Sequence, residues 1–287
     1  MALTAWKAFE DFGAKLRLTD IQEAAVKARR SRVNTLLSDA FPAGSTMPLF
    51  STRLIGSARR NTIVRPVDDI DVLAVFDDAQ VWASMANDSK KLLYRVRNAL
   101  AGYSTDVIGA RGQAVRLFYQ DGINVDIACV VPYGNQYFLP TGNGAWMVTD
   151  PDAVDAFLGR RQTELGGHLR PVVRLLKRWN NVHSKRLGSF HLELIAQETF
   201  SSMAGNYREA TMRFFEWAPS FIDVADPTSG RSMGTRLTYL QRQNVIASLA
   251  ANYARARDAV AYEAGGDHAA AITKWKQVFG PEFPSYG

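Results

Sequence analysis

Asp69 and Asp71, separated by Ile70 within an apolar run, are the residues of this chain best placed to do chemistry. Residues two apart on a β-strand point the same way, so the pair presents two carboxylates side by side. Their repulsion, made worse by hydrophobic flanks, is relieved by a cation. Upstream, Gly56-Ser57 reads as a turn whose backbone N–H groups suit a phosphate. A third acid, Asp126, sits in a second strand-like run, Ile123 to Val131, on the face shared by Asn124 and Ala128. Three carboxylates from two neighbouring strands make a donor set for two Mg2+ ions, with Mn2+ as a substitute. Hard cations beside a phosphate cradle suit in-line nucleotidyl transfer, with Asp126 as both metal ligand and base toward an attacking sugar hydroxyl.

Basic groups are expected around the phosphates of a substrate. Arg59, Arg60 and Arg65 follow the Gly-Ser turn, and Lys177 and Arg178 precede Trp179 on a later helix. Ser189 is expected to cap a helix, which would turn a hydroxyl and a positive helix end toward a nearby phosphate. Phe190 can stack on a base or pack in a core. His168, His183, His191 and His268 show no metal-ligand spacing and are read as structural or solvated, and Trp275 and Phe279 as core.

These residues need a scaffold. Trp6, Phe9, Phe12 and Leu16 fall at helical spacing, and Thr19 caps a second helix running to about Leu37. Strands are predicted over Leu49–Ile55, Ile70–Phe76, 105–109, 113–119 and 123–131, with a helix around Leu92–Leu100. Asp121-Gly122 marks a hairpin between the last two strands. From Thr149 the pattern turns helical, Thr149 or Asp150 capping a helix with Pro151 at its first position. Helices follow around Val172–Trp179, from Ser189, and over 236–262 and 267–279. The segment 223–234 reads as a surface loop. The fold class expected is α+β: a mixed sheet with flanking helices over residues 1–150, a helical lobe over 151–287, and an active cleft between them.

The chain of 287 residues is 47% hydrophobic and 22% charged, ordinary for a globular protein. A single cysteine, Cys129, excludes an intrachain disulfide and a multi-cysteine zinc site. No run approaches the ~20 apolar residues that cross a bilayer, and the N-terminus lacks an apolar signal core. The expectation is a cytoplasmic protein without a membrane partner. A net charge of +6 suits polyanions, either nucleotides or a nucleic acid.

The segment from Gly56 to Pro66, then Asp69-Ile70-Asp71-Val72-Leu73 and the later Asp126, resembles the DNA-polymerase-β-like nucleotidyltransferase superfamily. Within it, the chain resembles the bacterial CD-NTases, relatives of cyclic GMP–AMP synthase and oligoadenylate synthase. Leu176-Lys177-Arg178-Trp179-Asn180, Ser189-Phe190-His191-Leu192-Glu193 and Trp275–Gly280 with Phe283-Pro284 are similar to later segments of that family. The resemblance implies a synthase that condenses ribonucleoside triphosphates, ATP or GTP and in some members pyrimidines, into a cyclic di- or trinucleotide with release of pyrophosphate. It implies a role in anti-phage defence and a separate effector protein activated by the product; whether activity is constitutive or switched on by regulatory partner proteins stays open. Carried over by position, Asp69, Asp71 and Asp126 hold metals; Gly56, Ser57, Arg59, Thr62, Lys177 and Ser189 contact substrate; Phe190 stacks on a base. The zinc insertion of the metazoan DNA-sensing relative cannot be built with one cysteine. A linear oligonucleotide synthase, an RNA-end nucleotidyltransferase and a non-enzymatic RNA-binding module stay open as alternatives.

Overall fold

A computed structural model describes residues 1–102, 113–120 and 122–287. The expected strand over 105–109 and Asp121 of the expected hairpin lie outside the described residues. Contacts divide the chain into one unit of Leu18–Asp155 and another of Met1–Arg17 with Ala156–Gly287. A boundary drawn only at 150 therefore misplaces helix α1 (Ala5–Leu16), which belongs with the C-terminal helices. The reason is aromatic packing: Phe9 meets Trp275 edge-on at 4.8 Å, and Phe12 lies 5.0 Å from Phe283. Trp6, expected in the same apolar stripe, is half-exposed instead.

The unit Leu18–Asp155 contains α2 (Asp20–Ala40), β1 (Leu49–Ile55), α3 (Gly56–Arg59), β2 (Asp69–Phe76), α4 (Asp78–Met85), α5 (Lys90–Leu100), β3 (Val115–Leu117), β4 (Asn124–Tyr133), β5 (Gln136–Pro140) and β6 (Trp146–Thr149). Among the described residues these strands form one sheet in the order β1-β2-β4-β5-β6, with β3 also on β4. β2 and β4 run parallel, and the other neighbours are antiparallel. A parallel pair cannot close with a hairpin, so α4 and α5 occupy the connection between β2 and β4. A capping box between Thr19 and Gln22 starts α2. Arg29 then ties that helix to the sheet unit by donating to the Ile123 carbonyl at 2.9 Å and lying over the Tyr119 ring.

Strand alternation sorts the side chains into two faces. Ile70, Val72, Ala74 and Phe76 of β2 and Val125, Ile127, Cys129 and Val131 of β4 enter a core shared with Val33 and Leu37 of α2 and Leu92, Leu93 and Val96 of α5. Leu73, Val75 and Val130 point the other way and make a smaller cluster with Leu139. The two-residue period puts Asp69, Asp71, Asn124 and Asp126 on this second face, at the starts of their strands.

Helix α6 (Pro151–Glu164) begins as expected, with Asp150 accepting from the Ala153 N–H at 2.8 Å. It is followed by α7 (Leu169–Val182), α8 (Ser189–Thr199), α9 (Tyr207–Trp217), α10 (Tyr239–Ala264) and α11 (His268–Phe279). Their core centres on Trp179, Phe214, Phe215, Trp275, Phe279 and Phe283, all at most 1% exposed. β5, β6 and α4 are elements without a strong periodic signal, and α9 was missed although Ala210, Thr211, Phe214 and Phe215 bury one helical face. β5 and β6 are short strands, and α9 is capped by the Asn206 side chain.

Candidate active site

The site is one row of residues across three strands. Asp71 on β2 is the parallel register partner of Asp126 on β4, and Arg116 on β3 is the antiparallel partner of Asp126. On the other flank, Ile55 of β1 pairs with Asp71, and Gly56 follows at once. Partners in register project to the same face, so the ladder itself brings Asp71, Asp126 and Arg116 together. Asp69, two residues before Asp71, joins them on that face.

Gly56 adopts a left-handed φ of +64°, and a Cβ built there would stand 2.0 Å from Asp71 Oδ2. Only glycine lets the turn fold this tightly under the carboxylate. The turn closes with the Arg60 N–H on the Gly56 carbonyl at 3.1 Å and the Thr62 and Ile63 N–H groups on the Ser57 carbonyl at 2.9 and 3.1 Å. Thr62, expected to contact substrate, is fully buried at the close of this turn. Arg59 has a 63% exposed side chain and lies 3.7 Å from Asp155, and Arg60 lies 3.5 Å from the same carboxylate. Burial raises the Asp155 pKa against the pull of Arg60. Arg53 grips Asp152 with two guanidinium nitrogens and so holds that carboxyl below the usual range. Arg30, Arg53 and Arg59 line a basic groove of about 510 Å³ with Leu54 and Ala58.

Arg116 was not anticipated. Its Nε donates to Asp126 Oδ1 at 2.5 Å, and its Nη2 donates to Asp126 Oδ2 at 2.5 Å and to Asp69 Oδ2 at 2.7 Å. One nitrogen touches both carboxylates, so Asp69 and Asp126 lie within two hydrogen-bond lengths of each other. The hydrogen bonds that the guanidinium donates to Asp126, with the charges of Asp126 and Asp69, raise its pKa further above the ordinary value. The sequence carried half of the signal: Arg116 alternates with Val115 and Leu117, which fill the core, and so lies on the opposite face of β3.

Among the described residues no three acids already converge as a ready metal cage, and Arg116 occupies two of the three. The donor set nevertheless fits a hard divalent cation. It consists of half-buried carboxylate oxygens on one face, with Cys129 turned to the opposite one. That Asp69 and Asp126 already converge on a positive group is the physical test of that fit.

Lys177, Ser189 and Phe190 belong to the helical unit. Lys177 is 4% exposed, and its ammonium pairs with Glu193 between α7 and α8. Ser189 is exposed but does not cap α8. Gly188 is the N-cap, with extended backbone, and Ser189 makes no capping hydrogen bond. Phe190 is half-buried at the same helix start. His191 is buried with Nε2–H donating to the Ile222 carbonyl at 2.7 Å, and His183 donates to the Val278 carbonyl at 2.9 Å.

The chain is similar to a Bacillus cereus protein named probable cyclic nucleotide synthase, 26% identical over 269 residues that cover 80% of this chain and 81% of that one. It is also similar to a cyclic AMP-AMP-AMP synthase of Escherichia coli, 24% identical over 307 residues that cover 94% and 92%. The solved structure of Escherichia coli CdnC with ATP shares the fold at a TM-score of 0.79 and 20% identity, covering 97% of this chain and 98% of that one. The model of the Second Messenger Oligonucleotide or Dinucleotide Synthetase domain matches residues 1–158, a span that includes the Gly56 turn and the strands carrying Asp69, Asp71 and Asp126. This match over more than half of the sequence places the chain in the Second Messenger Oligonucleotide or Dinucleotide Synthetase family.

Proposed function

We propose that this protein joins ribonucleoside triphosphates, ATP among them, into a cyclic oligonucleotide, with Asp69, Asp71 and Asp126 as the metal-holding acids. The observation that carries the reading is the register of Asp71 with Asp126, which sets carboxylates from two strands on one face beside the Gly56 turn. The family membership and the cyclic AMP-AMP-AMP synthase relative support it. Bound at these acids, Mg2+ would neutralise phosphate charge and acidify the attacking ribose hydroxyl.

The chain's own residues supply the rest. The Gly56-Ser57 end of the turn faces the triphosphate, held in shape by the Arg60, Asn61, Thr62 and Ile63 N–H groups that bond within the turn. Arg59, largely exposed on the flank of that turn, supplies positive charge to the phosphates. Asp126 accepts the proton of the attacking hydroxyl, and pyrophosphate leaves in line. A first bond gives a linear intermediate, and a second transfer within it closes the ring. The product then serves as a signal read by a separate effector protein.

Incubation of the purified protein with the four ribonucleotides and Mg2+, with mass analysis of the products, tests this. A phosphatase- and end-nuclease-resistant product together with pyrophosphate is expected. The double variant Asp69→Asn/Asp71→Asn should remain folded and make none. A product that ends in a removable phosphate would replace ring closure by linear synthesis. Full turnover by the double variant would remove the metal assignment.

A further inference from the structure

We infer that Arg116 is a built-in placeholder cation, which holds Asp69 and Asp126 when no divalent ion is bound and must release them for one to bind. The inference rests on reading Asp69, Asp71 and Asp126 as metal ligands.

Three observations carry it. Arg116 engages both oxygens of Asp126 and one of Asp69, all at 2.5 to 2.7 Å. These are the oxygens a cation shared by the two acids would need. The Arg116 side chain is 13% exposed and that of Asp126 20%, so this pair is largely sheltered from water, while Asp69, at 41%, is the exposed arm of the contact. The register also fixes the arrangement: Arg116 stands opposite Asp126 on β3 while Asp71 stands opposite it on β2, so the fork is aimed by the backbone.

The electrostatic consequence follows directly. Three carboxylates on one sheet face repel one another, and a bidentate guanidinium relieves that repulsion. A divalent ion on the same oxygens would sit within a few ångströms of the guanidinium, where like charges repel strongly. Loading the site therefore requires Arg116 to let go of Asp69 and of at least one oxygen of Asp126. Arg116 is a positioning residue, and it sets how readily the acids accept metal before nucleotide arrives.

The test measures Mn2+ binding to the metal-free protein without nucleotide, by the loss of the free-Mn2+ paramagnetic resonance signal. Arg116→Gln should bind Mn2+ about tenfold more tightly, the equivalent of about 1.4 kcal/mol no longer spent on displacing charge-assisted bonds. Arg116→Lys keeps the charge but not the fork, and should fall between Arg116→Gln and the unmodified protein. Arg116→Gln should also melt lower without metal and show a larger Mn2+-induced rise in melting temperature. A residue that merely braced the fold would leave Mn2+ affinity unchanged or weaken it, and either result overturns the placeholder. If Arg116→Gln does not fold, Arg116→Lys decides alone: it must bind Mn2+ more tightly than the unmodified protein. Asp71→Asn separates the two levels. Mn2+ binding that survives Asp71→Asn, or is absent from every form, sinks the metal-site reading and the placeholder with it. Binding lost in Asp71→Asn but equal in the unmodified protein and the tested Arg116 variant sinks the placeholder alone.

Discussion

Gly56 and Asp71 are in direct contact: the Asp71 carboxylate fills the space that any other residue's Cβ would need, 2.0 Å from Oδ2. Gly56→Ala should therefore injure the site in two ways. The left-handed backbone costs an alanine about 1–2 kcal/mol, and the carboxylate must move to clear the methyl group. The melting temperature should fall by a few degrees, and turnover should drop by about tenfold or more. Calorimetry and a pyrophosphate-release assay on the one variant measure both, and an unchanged rate would show that the site does not depend on this contact.

Lys177 and Glu193 form a buried ion pair, with side chains 5% and 1% exposed. Lys177→Met should destabilise by about 3–5 kcal/mol, because it leaves Glu193 charged and buried without this partner. Lys177→Met combined with Glu193→Leu should recover much of that loss. Urea unfolding of the single and double variants is the measurement. A Lys177→Met protein of unchanged stability but impaired nucleotide binding would assign the lysine to substrate instead of to the α7–α8 contact.

His191 confers a pH dependence with a definite sign. Burial lowers its pKa below the ordinary 6.5, against the raising effect of its bond to the Ile222 carbonyl. The unfolded chain then binds a proton at higher pH than the folded one, so the contribution is fully present above about pH 6.5 and is lost as pH falls toward the folded value. His183, lowered by burial in the same way, adds to the trend. Unfolding free energy should decrease from pH 7.5 to pH 5.5, and His191→Gln should flatten that slope. A slope unaltered by the substitution would mean that other groups govern acid sensitivity.

Cys129 is fully buried on the core face of β4, and desolvation pushes its thiol pKa well above the usual range. The native protein should not react with an aromatic disulfide reagent on a timescale of minutes, whereas one thiol should appear promptly in denaturant. Rapid reaction of the native protein would mean that β4 opens readily.

The acids were legible in the sequence because strand alternation needs only a run of residues. Asp71 and Asp126 each sit between core-filling neighbours, and Asp69 is two residues before Asp71, which alone assigns the three to the non-core side of their strands. Arg116 was not legible as their partner because lateral register depends on the turn between β3 and β4. The later substrate residues illustrate another limit. Lys177 lies on a helix with every residue from Val172 to Asn180 buried, so the sequence names a lysine but not the glutamate that neutralises it. A serine at a helix start looks like a cap, yet the chain enters α8 one residue earlier, through the extended backbone of Gly188. Helix α1 joined the distant helices because the destination of Phe9 and Phe12 is set by their aromatic partners near the C-terminus.

Because β2 and β4 are zipped by main-chain bonds, the distance between Asp71 and Asp126 is independent of what connects those strands. Changes at solvent-facing positions of α4 and α5 leave that spacing in place, whereas loss of Leu92, Leu93 or Val96 from the core, or of Arg116 on β3, would reach the acids themselves. The scaffold thus separates the register that must stay fixed for the carboxylates from the outer surface of the segment that joins their strands.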